Sequence, residues 1–203
     1  MNKKALFWNR VAKHLNYSID KTSLKAIQLF AKYISKQDVI LDFGCGQGTI
    51  SCELAKKVKH VYGIDISTEM LKRATKNAEE KDIQNVSFTQ TSVFEKSPIA
   101  TTPNAILAFN VLQYIENLPE LIARFHTILN KDGLFISSTA CLAEKKTFSR
   151  FFMYFLMRIK VVPPTHFLQA TELREIINKE GFEVIEHVLL SKMPDQLIIA
   201  RKK

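Results

Sequence analysis

The sequence predicts an α/β protein with a doubly wound, seven-stranded sheet, mostly parallel and carrying an antiparallel last strand. Three observations predict it. Short apolar runs alternate with helix-length amphipathic stretches from residue 39 to residue 139, as in parallel sheets covered by helices on both faces. The run Val39-Ile40-Leu41 ends in Asp42 and a glycine-rich turn, Gly44-Cys45-Gly46-Gln47-Gly48, before a helix. The last two strand-like runs, 182–190 and 196–201, are joined by Met193-Pro194-Asp195, and a connection so short forces an antiparallel pair.

In chain order, residues 5–16 and 21–35 read as helices. Phe7, Trp8, Val11 and Leu15 stripe the first, which is expected to pack on the sheet edge rather than close over a pocket. Leu24, Ile27, Ala31 and Ile34 recur along the second behind an Asp20 or Thr22 cap. Strands follow at 39–42, 60–65, 86–91, 104–109 and 133–139, with helices at 49–58, 68–81 and 118–129. Leu118, Leu121, Ile122, Phe125 and Leu129 form the buried side of the last of these. Asn130-Lys131-Asp132-Gly133 reads as a turn, and a helix at 171–180 stops at Gly181. No repeat or linker interrupts the pattern, so residues 1–203 are expected to form one domain.

Composition narrows the function. In 203 residues, 46% are hydrophobic and 24% charged, ordinary for a globular chain. No run reaches the ~18 apolar residues of a membrane span, and the basic start lacks an apolar region behind it. Cys45, Cys52 and Cys141 are scattered, with no Cys-x-x-Cys, so reduced thiols, a cytoplasmic location and no metal are expected. The net charge of +9 comes from lysines spread along the chain. Solvated helix faces account for most of it; a nucleic-acid partner would need a clustered basic motif.

The glycine turn suits a ligand lying against bare backbone. Its spacing is not that of a dinucleotide fold, whose third glycine would fall at Thr49, and no Gly-Lys-Ser/Thr of a phosphate loop follows. A second apolar strand ends in Asp65, about 20 residues on, where a carboxylate meets ribose hydroxyls. Together, Asp42-x-Gly44-x-Gly46-x-Gly48 and Asp65 resemble the motifs of the class I S-adenosylmethionine (SAM) methyltransferases. The resemblance covers about residues 35 to 140 well and the ends loosely.

That resemblance implies a Rossmann-like methyltransferase fold with SAM held by Asp42, Gly44, Cys45, Gly46, Gly48, Asp65, Ile66, Ser92, Val93 and Asn110. Ser92 stands where the family places an acid on the adenine amino group, and Ile66 with Val93 would sandwich the ring. After the fourth strand, Asn110-Val111-Leu112-Gln113 lacks the Pro-Pro-aromatic of adenine amino methylators. It is similar to the small-molecule and lipid-quinone enzymes, with Gln113 and Tyr114 where those often carry histidines. No catalytic residue is declared. His166, behind Pro163-Pro164, and Tyr114 are the candidate bases.

The resemblance also implies a substrate lid over 141–170. Within it, residues 148–162 read as a helix with Phe148, Phe151, Phe152, Phe155 and Ile159 on one side and Arg150, Tyr154 and Arg158 on another. Such a helix suits a greasy acceptor or a peripheral membrane contact. The expected activity is methyl transfer to a small or lipid-like acceptor. An RNA methyltransferase and a SAM-binding module without catalysis are the rivals. The acceptor, the atom methylated and the oligomeric state stay open.

Overall fold

Apolar pentapeptides without room for a polar side make the middle of the sheet. In the computed structural model, which describes residues 3–14, 18–91, 94, 99, 101–144, 154–158, 162–191 and 194–203, β1 (Val39–Phe43) and β4 (Ala105–Phe109) lie side by side and are buried almost throughout. Helices on both faces leave such strands no solvated side. The chain enters through α1 (Lys3–Ala12), α2 (Lys21–Phe30) and a 3₁₀ turn (Ala31–Tyr33). After β1 come α3 (Thr49–Ala55), β2 (His60–Asp65), α4 (Thr68–Glu80) and β3 (Val86–Gln90). Beyond β4 lie a 3₁₀ turn (Leu112–Tyr114), α5 (Leu118–Ile128) and β5 (Leu134–Ala140). A 3₁₀ turn (Leu142–Glu144), helical residues 154–158, α6 (Ala170–Lys179), β6 (Phe182–Leu189) and β7 (Asp195–Lys202) complete it.

The seven strands stand in the order β3-β2-β1-β4-β5-β7-β6. β7 is the antiparallel member, inserted between β5 and β6 and opposed in direction to both. From β1 the chain winds outward through β2 to β3, then returns to place β4 on the other side of β1. The order reverses between β1 and β4, and the carboxyl ends of two such strands leave a crevice in a doubly wound sheet.

Each face of the sheet carries its own core. Leu118, Leu121, Ile122 and Phe125 of α5 and Leu173 and Ile177 of α6 cover one. Ala26, Ile27 and Phe30 of α2 with Leu54 and Ala55 of α3 cover the other. Caps set where the helices begin. Asp20 accepts from Ser23 N at 2.9 Å before α2, Ser67 from Met70 N at 3.1 Å before α4, and Asn117 from Glu120 N at 3.3 Å before α5.

One local expectation is corrected. The buried stripe of α2 is Ser23, Ala26, Ile27 and Phe30, while Leu24 is 38% exposed; the α-helix ends at Phe30, so Ala31 and Ile34 fall outside its periodicity. In the expected helix 148–162, residues 154–158 are helical, Val162 is a bend, and the others lie outside the described residues. There Phe155 is 53% exposed, whereas Leu156 and Met157 are half-buried. Met157 Sδ accepts from Thr165 N at 3.2 Å, and Tyr154 stacks against Phe167 at 4.9 Å. Thus the stretch turns Met157 inward and Phe155 out.

Candidate cofactor site

The glycine turn closes against β2 before it meets anything else. Gly44 N and Cys45 N both donate to Ile64 O, at 2.8 and 3.0 Å. Gly44, Gly46 and Gly48 all take positive φ, at +69°, +54° and +71°. Their surroundings differ. A Cβ on Gly48 would strike Phe88 at 2.7 Å and Ala74 at 2.9 Å, so this glycine serves packing. A Cβ on Gly46 would meet nothing within 4 Å. Gly46 also lines a cavity of about 300 Å³ at the crevice between β1 and β4.

Asp65 ends β2 at the rim of this turn. Its Oδ2 accepts from Gly46 N at 3.0 Å and its Oδ1 from Ser67 N at 2.8 Å. Each carboxylate oxygen has a further lone pair, so Asp65 can hold the loop and still accept from two neighbouring hydroxyls. Burial raises its pKa, with the amides of Ser67, Gly46 and Ile66 opposing. Asp42, below the turn, is fully buried and accepts from Ser51 Oγ at 2.5 Å. Burial pushes its carboxyl up to about 6; the Ser51 hydroxyl opposes the shift and the Asp65 charge adds to it.

Of the residues expected at the site, Asp42, Gly44, Cys45, Gly46, Asp65, Ile66 and Asn110 line the cavity. Gly48 sits behind it as the residue preceding α3. Asn110 holds a φ of +51°, with its amide donating to Ser138 O at 2.8 Å. Cys45 is buried, and burial, followed by the charges of Asp42 and Asp65, holds its thiol protonated. Ser92 and Val93 lie outside the described residues; Thr91, just before them, lines the cavity. Tyr114 also lines it, and burial raises its pKa against a hydrogen bond from Gln113. His166 is exposed and is not among the lining residues; its backbone amide donates to Gln113 O at 2.7 Å.

Sequence reasoning passed over Lys4, Trp8 and Thr49. The first two come from α1, which packs on α4 and walls the cavity, in place of the expected sheet-edge packing. Thr49 lines the cavity with its hydroxyl unpartnered. Among the described residues there is no cluster of metal-binding side chains, and no helix is long and apolar enough to cross a membrane.

Comparison with known proteins now adds to the geometry. A family model described as a methyltransferase domain matches residues 34–191. The chain belongs to the class I SAM-dependent methyltransferase family. Over 144 residues the domain is 29% identical to a probable (S)-tetrahydroprotoberberine N-methyltransferase of Papaver bracteatum, covering 69% of this chain and 39% of that protein. Over 63 residues it is 46% identical to a 23S rRNA (uracil(1939)-C(5))-methyltransferase of Aliivibrio fischeri, covering 31% of this chain and 14% of the other. The methyltransferase domain thus spans well under half the length of these two relatives. Its fold is similar to that of magnesium protoporphyrin IX methyltransferase from Synechocystis PCC 6803, solved with bound SAH. The TM-score is 0.71 at 18% identity, over 100% of this chain and 96% of that one.

The cavity has features that suit SAM. Gly46 leaves open the space a side chain would fill. Asp65 keeps acceptor capacity for two hydroxyls, Ile66 lies next to it in the lining, and buried Asp42 adds a second carboxyl to the lining. At about 300 Å³, the cavity is at the small end of the range for ligand sites.

Proposed function

We propose that this methyltransferase domain transfers a methyl group from SAM to a small or lipid-like acceptor. The observation that carries the reading is the carboxylate of Asp65, bound to the Gly46 amide at the edge of a cavity that Gly46 leaves open. When bound, SAM supplies an electrophilic methyl group on a positively charged sulfur. The chain's residues then have to hold, orient and exclude water. Asp65 orients the ribose end, Ile66 flanks the adenine, and Asp42 favours the positive charge.

No base is required where the acceptor attacks with a free lone pair. Correct placement alone supplies on the order of 7–11 kcal/mol of rate acceleration. Tyr114, with its raised pKa, stays protonated at neutral pH and serves as a donor beside the acceptor. The segment 141–170 is proposed as the acceptor's cover. The His166–Gln113 bond ties it to the turn that carries Tyr114, and Tyr154, Phe155 and Phe167 give it apolar character.

Calorimetry with S-adenosylhomocysteine, followed by label transfer from SAM into a lipid extract and a small-amine panel, tests the reading. Binding to one site with transfer into an organic-soluble product is the expected result. A second reading, RNA methylation, is favoured by the rRNA enzyme's local identity and by the charge of +9. Label appearing in RNA and not in the organic phase would replace the first reading with the second.

A further inference from the structure

Helix α1 has no part in the function as stated, yet it touches both halves of the site. Only Ala12 of α1 is buried, and the helix packs on α4. Asn9 Oδ1 accepts from Ser67 Oγ at 2.7 Å and from Glu69 N at 3.2 Å. Ser67 Oγ accepts from Met70 N, capping α4, while Ser67 N donates to Asp65 Oδ1 at 2.8 Å. A chain of hydrogen bonds therefore runs from Asn9 through Ser67 to Asp65.

Nearer its start, α1 reaches the other connection. Lys4 Nζ pairs with Glu116 at 2.8 Å and donates to Tyr114 O at 3.4 Å. The Trp8 ring meets that of Tyr114 edge-on at 5.1 Å. Between these two anchorages, Lys4 and Trp8 line the cavity. So α1 bridges the β2–α4 and β4–α5 connections as a wall of the pocket.

Its hold is weak by design of the contacts. The Lys4–Glu116 pair has side chains 44% and 75% exposed, and exposed pairs contribute little. Elements with few buried contacts open first. Cofactor bound beneath α1 would add contacts to the closed arrangement alone, and such differential contact shifts the population toward closure.

We propose that α1 is the closing wall of the cofactor pocket, with Asn9 a positioning residue that acts on Asp65 through Ser67. The inference rests on the reading that the cavity takes SAM. Docking of α1 and retention of the cofactor are then one coupled event, and losing either weakens the other.

Trp8 is the single tryptophan of the chain, so its emission reports on α1. The full chain is titrated with S-adenosylhomocysteine, followed in parallel by calorimetry and by Trp8 emission. Emission changes with the same midpoint as the heat. Asn9→Ala weakens binding roughly fivefold, the scale of one lost hydrogen bond, with the loss in the release rate seen by stopped flow. Asn9→Asp, which keeps the accepting oxygen, restores binding. Leu6→Ser, at an exposed position of α1, binds as the wild type does. Calorimetric binding with Trp8 emission unchanged, or Asn9→Ala binding as tightly as wild type, overturns the inference and leaves the cofactor reading standing. No heat of binding in the wild type removes that reading, and the inference with it.

Discussion

Two glycines of one motif do different physical work, and single substitutions separate them. Gly46→Ala places its methyl in open space, at a φ of +54° that costs an L-residue about 1–2 kcal/mol. Gly48→Ala meets Phe88 and Ala74 inside 3 Å, and overpacking adds a further ~1–3 kcal/mol. Denaturant melts should show Gly46→Ala the more stable of the two, with S-adenosylhomocysteine binding lost in calorimetry. A Gly46→Ala protein that bound normally would remove the glycine from the site. Asp42 gives a second residue-level test. Its folded pKa, about 6, lies above the ordinary 3.8 because of burial. The fold therefore favours the neutral acid. That stabilisation is complete below the ordinary pKa and is lost as pH rises through about 6, a change on the order of 3 kcal/mol. A cationic ligand favours the ionised form. The affinity ratio of SAM to S-adenosylhomocysteine should accordingly rise between about pH 5 and about pH 7, and Asp42→Asn should flatten the rise. A flat wild-type ratio would show that Asp42 does not sense the sulfonium.

Elements whose pattern is local could be read directly from the residues. The strand runs, the glycine turn and the α5 stripe Leu118, Leu121, Ile122 and Phe125 each carry their information within a few positions, and all stand in the structure. What α1 does could not be read this way. Its contacts join Lys4 to Tyr114 across 110 positions and Asn9 to Ser67 across 58, and no periodicity encodes such a meeting. Helical stripes also fail by rotation, as Leu24 shows: a shift of one residue moves the face by about 100°. Phe155, on the apolar side of the 148–162 reading, is 53% exposed, and Met157 turns inward. That orientation makes a prediction for the proposed cover. Phe155→Ser removes exposed apolar surface without opening a core, so thermal stability should move by no more than about 0.5 kcal/mol. The KM for a lipid-like acceptor should rise while S-adenosylhomocysteine affinity holds. An unchanged KM would take Phe155 out of acceptor binding.

At the scale of the whole molecule, charge is distributed unevenly between the surface and the site. The chain carries 29 Lys+Arg against 20 Asp+Glu, an excess that attracts any polyanion. The cavity carries two buried or nearly buried carboxylates, Asp42 and Asp65, with Lys4 its cationic lining residue, already paired to Glu116. Positive charge outside and acid within suits a cationic cofactor, and leaves a phosphate backbone little reason to enter the cleft. Ion pairs spread lysines over several elements: Lys32 beside α2, Lys56 after α3, Lys72 and Lys76 on α4. A dispersed excess of this kind gives weak, non-specific attraction rather than several simultaneous phosphate contacts. A protein engaging 6–10 phosphates loses about 10³–10⁵ in affinity between ~50 and ~200 mM salt. For this chain, RNA affinity should fall by much less over that interval. Methyl transfer to an uncharged acceptor should barely change, since a small neutral ligand releases no counterions. The two are measured together, by RNA gel shift and by label transfer at matched salt concentrations. A steep loss of RNA binding, tracked by an equal loss of methyl transfer, would mean that RNA occupies the acceptor site and that the surface charge serves catalysis.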